Sequence, residues 1–148
     1  MKREQLPKIV VVIPVFNEEK TLLNVLGRVS KQADLLICVN DGSKDDSLKI
    51  LKKFQKHKKS LFIVDLKVNT GMAGAIKNGF LFALFLQDKK LLGENDVIVT
   101  IDADGQHKPE YIRPLVKFLV RGDYDVVLTR RDFSAYPLYK VWGNRFLT

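Results

Sequence analysis

The chain has 148 residues, 46% of them hydrophobic and 28% charged, which suits one globular domain with a packed core and excludes the disordered and fibrous classes. A formal net charge of +8 favours anionic partners, namely nucleic acid, anionic lipid or phosphorylated small molecules. Nucleic acid ranks low, because the basic residues are not interleaved with aromatics and no helix-turn-helix, RNA-recognition or zinc-finger pattern occurs. Cys38 is the only cysteine and sits in an apolar run, so an intrachain disulfide is excluded and a reducing compartment is expected. No signal peptide shows in Met1 to Lys8. The longest apolar run, Phe80 to Leu86, is about a third of the roughly 20 residues a membrane span needs, so a soluble, cytoplasmic protein is expected.

In chain order, Ile9 to Ile13 is a β-branched run closed by Pro14, and predicts a buried strand. Asn17 is expected to cap a helix that carries Glu18 and Glu19 in its first turn and Leu22, Leu23, Leu26 and Val29 on its apolar side, ending near Lys31. Leu35 to Val39 predicts a second strand, ending in Asn40-Asp41-Gly42-Ser43; Ser43 with Asp46 suggests a helix start, a looser relative of the capping box. Leu48, Leu51 and Phe54 form that helix's buried stripe, and the lysines from Lys49 to Lys59 read first as its solvated face and second as a membrane-surface patch. Leu61 to Leu66 predicts a third strand. Gly71 to Phe85 predicts the most apolar helix, in which Gly74 and Gly79 imply a close approach by another element. Val97 to Ile101 predicts a fourth strand, then a helix with Pro109 in its first turn and Gly122 at its end. Tyr124 to Leu128 predicts a fifth strand, with Arg130 and Arg131 at its exit, and Tyr136 to Thr148 reads as partly helical at best.

Strands alternating with helices predict an α/β fold, a mostly parallel sheet with helices on both faces and ligands beyond the carboxyl ends of the strands. Polar groups collect at those ends: Asn17 and Glu18, Asn40 and Asp41, Asn69 and Gly71, Asp102 and Asp104, Arg130 and Arg131. If the extended geometry of the fourth strand persists, Asp102, Asp104 and Gln106 point the same way, an oxygen-donor row of the kind that holds Mg²⁺ or Mn²⁺. A loop that merely begins with Asp-Gly is the plainer reading of that stretch. A ligand with a nucleobase, a ribose and a diphosphate fits the rim. Asp41 can accept from a base N–H, Glu18 can hold ribose hydroxyls, the metal row can bridge the diphosphate, and Arg130 or Arg131 can add a bidentate phosphate contact. Each residue also has a plainer role. Glu18 and Glu19 suit a helix first turn, Gly71 and Gly74 suit tight packing, and His107 suits a loop.

Ile-Pro-Val-Phe-Asn-Glu-Glu at 13–19, Asn-Asp-Gly-Ser at 40–43 with Asp45, Asn69-Thr-Gly-Met-Ala-Gly-Ala, and Asp102-Ala-Asp-Gly-Gln-His-Lys-Pro-Glu110 together resemble family 2 glycosyltransferases, most closely the dolichyl-phosphate mannose synthase and polyprenyl-phosphate glycosyltransferase branch. The resemblance runs from Ile9 onward. It implies a single GT-A (Rossmann-like) nucleotide-sugar-binding domain over residues 1–148, inverting transfer from a GDP- or UDP-sugar, and Mg²⁺ or Mn²⁺ as cofactor. The implied acceptor is a polyprenyl (dolichyl) phosphate, with peripheral contact at the cytoplasmic face of a membrane. Carried over by position, Pro14, Asn17 and Glu18 line the nucleoside pocket, Asp41 binds the base, and Gly71 and Ala103 complete the nucleotide-sugar set. Asp102, Asp104 and Gln106 hold metal and diphosphate, and Asp102, Asp104 and Arg130 form the catalytic set. Asn40 departs from the family's usual Asp, and Arg130 lacks the Gly-Ser that often precedes that arginine. The chain is also expected to be truncated at Thr148, before the acceptor-binding elements, so a nucleotide-sugar-binding fragment without transferase activity is the first alternative. The second is a haloacid-dehalogenase-type phosphatase with Asp102 as nucleophile. Its motif normally opens a domain, whereas only 44 residues follow Asp104 here.

Overall fold

The structure, a computed structural model, describes residues 7–129. Four strands, β1 (Ile9–Val15), β2 (Leu35–Asp41), β3 (Leu61–Leu66) and β4 (Val97–Thr100), form one parallel sheet in the order β3-β2-β1-β4. The connecting helices are α1 (Leu22–Val29), α2 (Ser47–His57) and α3 (Gly71–Asp88); a single 3₁₀ turn (Pro109–Tyr111) leads into α4 (Ile112–Arg121). Alternation along β1 divides the core. Val11 and Ile13 pack with Leu22, Leu26 and Val29 of α1, Leu51 of α2, and Ile112 and Val116 of α4. Val10 and Val12 pack on the other face against Ala75, Ala83 and Leu86 of α3. Helices therefore cover both faces, as expected of a parallel sheet whose strands are apolar on both sides.

β1 continues through Pro14, which was expected to close it. The carbonyls of Lys8 and Val12 accept from Val97 and Ile101 beside β4, whereas that of Ile9 accepts from Asp34 beside β2. Even-numbered positions of β1 thus face β4, and the last β4 partner, Thr100, sits opposite Val12. Pro14 falls beyond that point, so its missing N–H removes no ladder bond.

α3 reaches Asp88, three residues past the expected end, and the sheet meets its small residues rather than its large ones. Ala75, Gly79 and Ala83 are buried, while the bulkier Phe80, Leu84 and Phe85 are half exposed. A Cβ on Gly79 would collide with Cγ1 of Val12, so the glycine lets the helix lie directly on β1 and β2. In α1 the inward position is Val25 rather than Leu23, which is 60% exposed.

The expected fifth strand does not form. Tyr124 to Leu128 is irregular, with Tyr124, Val126 and Leu128 exposed and no ladder partner among the described residues. Local contacts hold its start instead: Tyr124 N donates to Leu119 O at 3.1 Å and its ring lies 5.3 Å from that of Phe118. β-branched residues specify a strand only where a sheet edge meets them. Arg130, Arg131 and the stretch from Tyr136 to Thr148 lie outside the described residues.

Candidate functional site

All four strands end at one edge of the sheet, and the loops that leave β1 and β2 are bound to each other. Asn17 N donates to Ser43 Oγ (3.1 Å) and Lys44 N donates to Asn17 Oδ1 (2.8 Å). Glu18 N donates to Ser47 Oγ (2.8 Å), Glu19 N to Asp45 Oδ2 (3.0 Å), and Asp46 N to Glu19 Oε2 (3.0 Å). These bonds replace the expected helix caps. Asn17 does not cap α1, whose cap position is Thr21, and neither Glu18 nor Glu19 lies in its first turn. Asn17 adopts φ 56°, a left-handed conformation that asparagine tolerates. Ser43 and Asp46 make no capping bond either; Asp45 Oδ1 accepts from Ser47 N at 3.0 Å. Burial pushes the Asp45 carboxyl up, but hydrogen bonds from Ser47 and from the Glu19 and Ser47 amides outweigh it and hold the group below its usual value. Gly42 lies against the loop after β3: a Cβ there would sit 2.8 Å from Asn69 N.

The strand ends enclose a hollow of about 290 Å³. Pro14, Glu18, Asp41, Gly71, Asp102, Ala103 and Asp104 all line it, together with Phe16, Asn69 and Met72. Eight of the residues singled out from the sequence, Asn69 included, drawn from positions up to 90 apart (Pro14 to Asp104), therefore meet in one place. Asn17 does not line the hollow; its side chain is spent on Lys44 N. Arg130 lies outside the described residues. A larger hollow of about 730 Å³ lies at the opposite edge, with Lys8, Asp88, Glu94 and Asp96 among its lining. There Asp96 already accepts from the backbone of Lys8 and Gly93, both at 2.8 Å, and no strand end delivers a second acid to it in the way β2 and β4 serve the smaller hollow.

Asp41 is 3% exposed. Its Oδ1 accepts from both Thr70 N (2.7 Å) and Thr70 Oγ1 (2.8 Å), leaving Oδ2 without a protein donor among the described residues. Next to it, Asn40 Nδ2 donates to Asp65 Oδ1 at 2.8 Å. Asn40 Oδ1 is buried with no partner among the described residues. The Asn40 hydrogen bond first, and that from Lys67 second, hold the Asp65 carboxyl below its usual range.

At the end of β4 the expected extended row is broken. The strand stops at Thr100, and residues 103–105 turn, so that Gln106 N donates back to Asp104 Oδ1 at 2.9 Å. Gln106 is exposed and is not part of the lining, so the two acids share the hollow without it. Asp-Gly turn chemistry overrides strand alternation here. His107 folds back instead, its Nε2 3.0 Å from Asp102 Oδ2. Thr21 ties this loop to the first: its hydroxyl lies 2.8 Å from both Ala103 O and Glu18 Oε2 and donates to one of them at a time. His107, Thr70 and Thr21 were not singled out for these roles, because each acts across a turn or between loops distant in sequence. The only local signal was the hydroxyl of Thr70 beside Gly71.

Four acids, Glu18, Asp41, Asp102 and Asp104, thus line one hollow at the carboxyl edge of the parallel sheet. The sequence profile of Glycosyl transferase family 2 matches residues 10–146. An undecaprenyl-phosphate 4-deoxy-4-formamido-L-arabinose transferase of Photorhabdus laumondii is 39% identical over 154 residues, covering 99% of this chain and 44% of the relative. A UDP-N-acetylglucosamine–dolichyl-phosphate N-acetylglucosaminyltransferase of Methanococcus voltae is 31% identical over 154 residues, covering 92% of this chain and 59% of the relative. Among solved structures, a mannosyltransferase from Pyrobaculum calidifontis in complex with GDP-mannose and Mn²⁺ superposes with a TM-score of 0.55 at 17% identity, covering 68% of this chain and 28% of that one. That likeness shows the fold, the GT-A arrangement of a parallel sheet between helices. The chain spans about half the length of these two curated relatives. With the family profile matched over nearly all of its residues and the acids of that match gathered in one hollow, the chain belongs to glycosyl transferase family 2.

Proposed function

We propose that this chain carries the donor site of a metal-dependent, inverting glycosyltransferase that moves a sugar from a nucleoside-diphosphate sugar to a polyprenyl phosphate. The observation that carries the reading is the convergence of Glu18, Asp41, Asp102 and Asp104 on one hollow at the carboxyl edge of the sheet. Asp41, anchored through Oδ1 by Thr70, offers Oδ2 to a base N–H. Glu18, on the loop leaving β1 and in the lining of the hollow, is proposed to hold ribose hydroxyls. The polyprenyl-phosphate acceptor is supported by the names of the relatives.

The residues fit a hard divalent cation. Asp104 keeps one oxygen free of the bond from Gln106 N, and Asp102 keeps one free of His107. Among the described residues no cluster of three or more acids, histidines or cysteines could enclose a metal alone. Two carboxylates fit an ion that takes its remaining oxygens from a diphosphate and water, as Mg²⁺ commonly does. Gln106, expected as the third oxygen donor, lies outside the lining and is not assigned to this ion. When bound, the ion would neutralise charge on the departing diphosphate. The chain's own residues hold the base and ribose and fix the sugar's orientation. An acceptor phosphate oxygen forms the new bond to the anomeric carbon as the bond to the diphosphate breaks, with the electron pair leaving on the diphosphate. The acceptor is already anionic, so no strong general base is assigned. Arg130, expected from the sequence to contact the phosphates, is proposed as a further phosphate contact.

Thermal shift with UDP and with GDP, each with and without Mn²⁺, tests the reading. Stabilisation by one of the two that requires the metal is expected. No stabilisation by either with Mn²⁺ present would refute a donor site here. The phosphatase alternative finds no support, since Asp102 lies just past β4, the fourth strand in chain order, and the matched family is a transferase family.

A further inference from the structure

Seven lysines and two aspartates occupy residues 44–59, so five of the chain's eight net positive charges lie in one stretch of sixteen residues. α2 gives that stretch a direction. At about 100° per residue, Lys49, Lys52, Lys53 and Lys56 fall within an arc of roughly 100°, opposite the side that buries Ser47 and Leu51. All four are exposed, and they line one shallow surface depression. Lys49 is 3.4 Å from Asp46; among the described residues Lys52, Lys53 and Lys56 are in no ion pair. The charge is therefore presented outward rather than spent within the protein.

From this stripe we infer that α2 is a docking surface for an anionic bilayer, adsorbing the protein beside the headgroup layer. The inference rests on the polyprenyl-phosphate reading above, because that acceptor is held in a membrane. Two features favour a bilayer over nucleic acid. No arginine occurs in residues 44–59, and lysines are point charges on flexible stems, suited to a diffuse negative potential rather than to the ordered bidentate phosphate contacts that arginine makes. Nor does an aromatic side chain stand in the stripe; Phe54, the one aromatic of α2, packs against the core, so there is no stacking platform for bases. No helix among the described residues is long and apolar enough to cross a membrane, so any contact they make is with its surface. The stripe also begins next to the donor hollow: Ser47, two residues before Lys49, holds the amide of Glu18 through its Oγ.

The test is flotation of the full chain with vesicles of phosphatidylcholine alone and of phosphatidylcholine mixed with phosphatidylglycerol. Binding is expected only to the anionic vesicles, weakening as salt rises because screening shortens the range of the charges. The variant Lys49→Gln/Lys52→Gln/Lys53→Gln/Lys56→Gln should lose roughly tenfold or more of that binding, each near-surface lysine contributing a several-fold factor. A control that removes equal charge elsewhere, Lys31→Gln/Lys77→Gln/Lys89→Gln/Lys117→Gln, should lose far less. Nucleoside-diphosphate affinity of the stripe variant without vesicles should be unchanged, which separates failure of this inference from failure of the donor-site reading. Equal binding to neutral vesicles, equal loss in the two variants, or tighter stripe-dependent binding to a single-stranded oligonucleotide would each overturn it.

Discussion

Thr70 donates its backbone N–H and its hydroxyl to the same oxygen of Asp41, at 2.7 and 2.8 Å, and so fixes the carboxylate that ends β2 against the loop that opens α3. The pair makes Asp41 structural as well as functional. Asp41→Ala leaves the Thr70 amide without its acceptor inside the protein and is expected to cost stability as well as binding. Asp41→Asn separates the two roles, keeping an acceptor for Thr70 and replacing the other oxygen with a donor. That variant is expected to melt near the wild type while nucleoside-diphosphate affinity falls by about 1.5–3 kcal/mol, the usual worth of a hydrogen bond to a charged group. Calorimetric titration beside a thermal melt decides it; unchanged affinity would remove Asp41 from the base contact.

Metal dependence should reside in Asp104. Asp104→Asn is expected to weaken diphosphate binding roughly tenfold or more in Mn²⁺ and to bring it to the level of the wild type with excess chelator, since a charged oxygen ligand is lost beside an anionic group. Equal wild-type affinity with Mn²⁺ and with chelator would exclude a metal in this hollow. Gln106→Ala should have a smaller effect, because Gln106 lies outside the lining.

Gly79 should resist enlargement. Gly79→Ala improves intrinsic helix propensity by about 1 kcal/mol. The new methyl meets Val12 and Val39, however, and α3 must lift from the sheet. Overpacking of this kind costs roughly 1–3 kcal/mol, so a net loss is expected in urea unfolding. A more stable variant would show that the helix can move freely.

Asn40 and Asp65 set a pH-dependent prediction. The Asp65 carboxyl lies below its ordinary value of 3.8, held by Asn40 and then Lys67. Its contribution to stability is therefore complete above that value and lost as pH falls through the lower, folded-state one. Asn40→Asp reverses the sign. Two carboxylates then face each other at hydrogen-bond distance, one is pushed up, and the variant should be destabilised at pH 7 and recover as acid protonates the pair. Melting temperatures of both proteins from pH 4 to pH 7 check this; a difference that stays constant with pH would rule out the charge mechanism.

The order and type of the elements were legible because they depend on local chemistry. Short apolar runs at 9–13, 35–39, 61–66 and 97–101 and apolar periodicity between them specify strands and helices with little help from the rest of the chain. The site acids were legible for a related reason: a carboxylate at the end of an apolar strand has no use in packing, and Asp41, Asp102 and Asp104 stand there. What residues 16–20, 43–46 and 106–107 do was not legible. Asn17 and Ser43 look like helix caps on their own, yet each finds its partner in a loop some 26 residues away that only the parallel pairing of β1 with β2 brings near. The extended row through Gln106 fails because a turn satisfies Asp104 locally, and the strand expected at Tyr124–Leu128 fails because a strand exists only where another strand supplies its hydrogen bonds. Single-residue preference and periodicity determined which groups the chain carries to the edge of its sheet. Their partners, and hence which of them remain free to meet a ligand, were decided by long-range backbone pairing, which no local window of sequence contains.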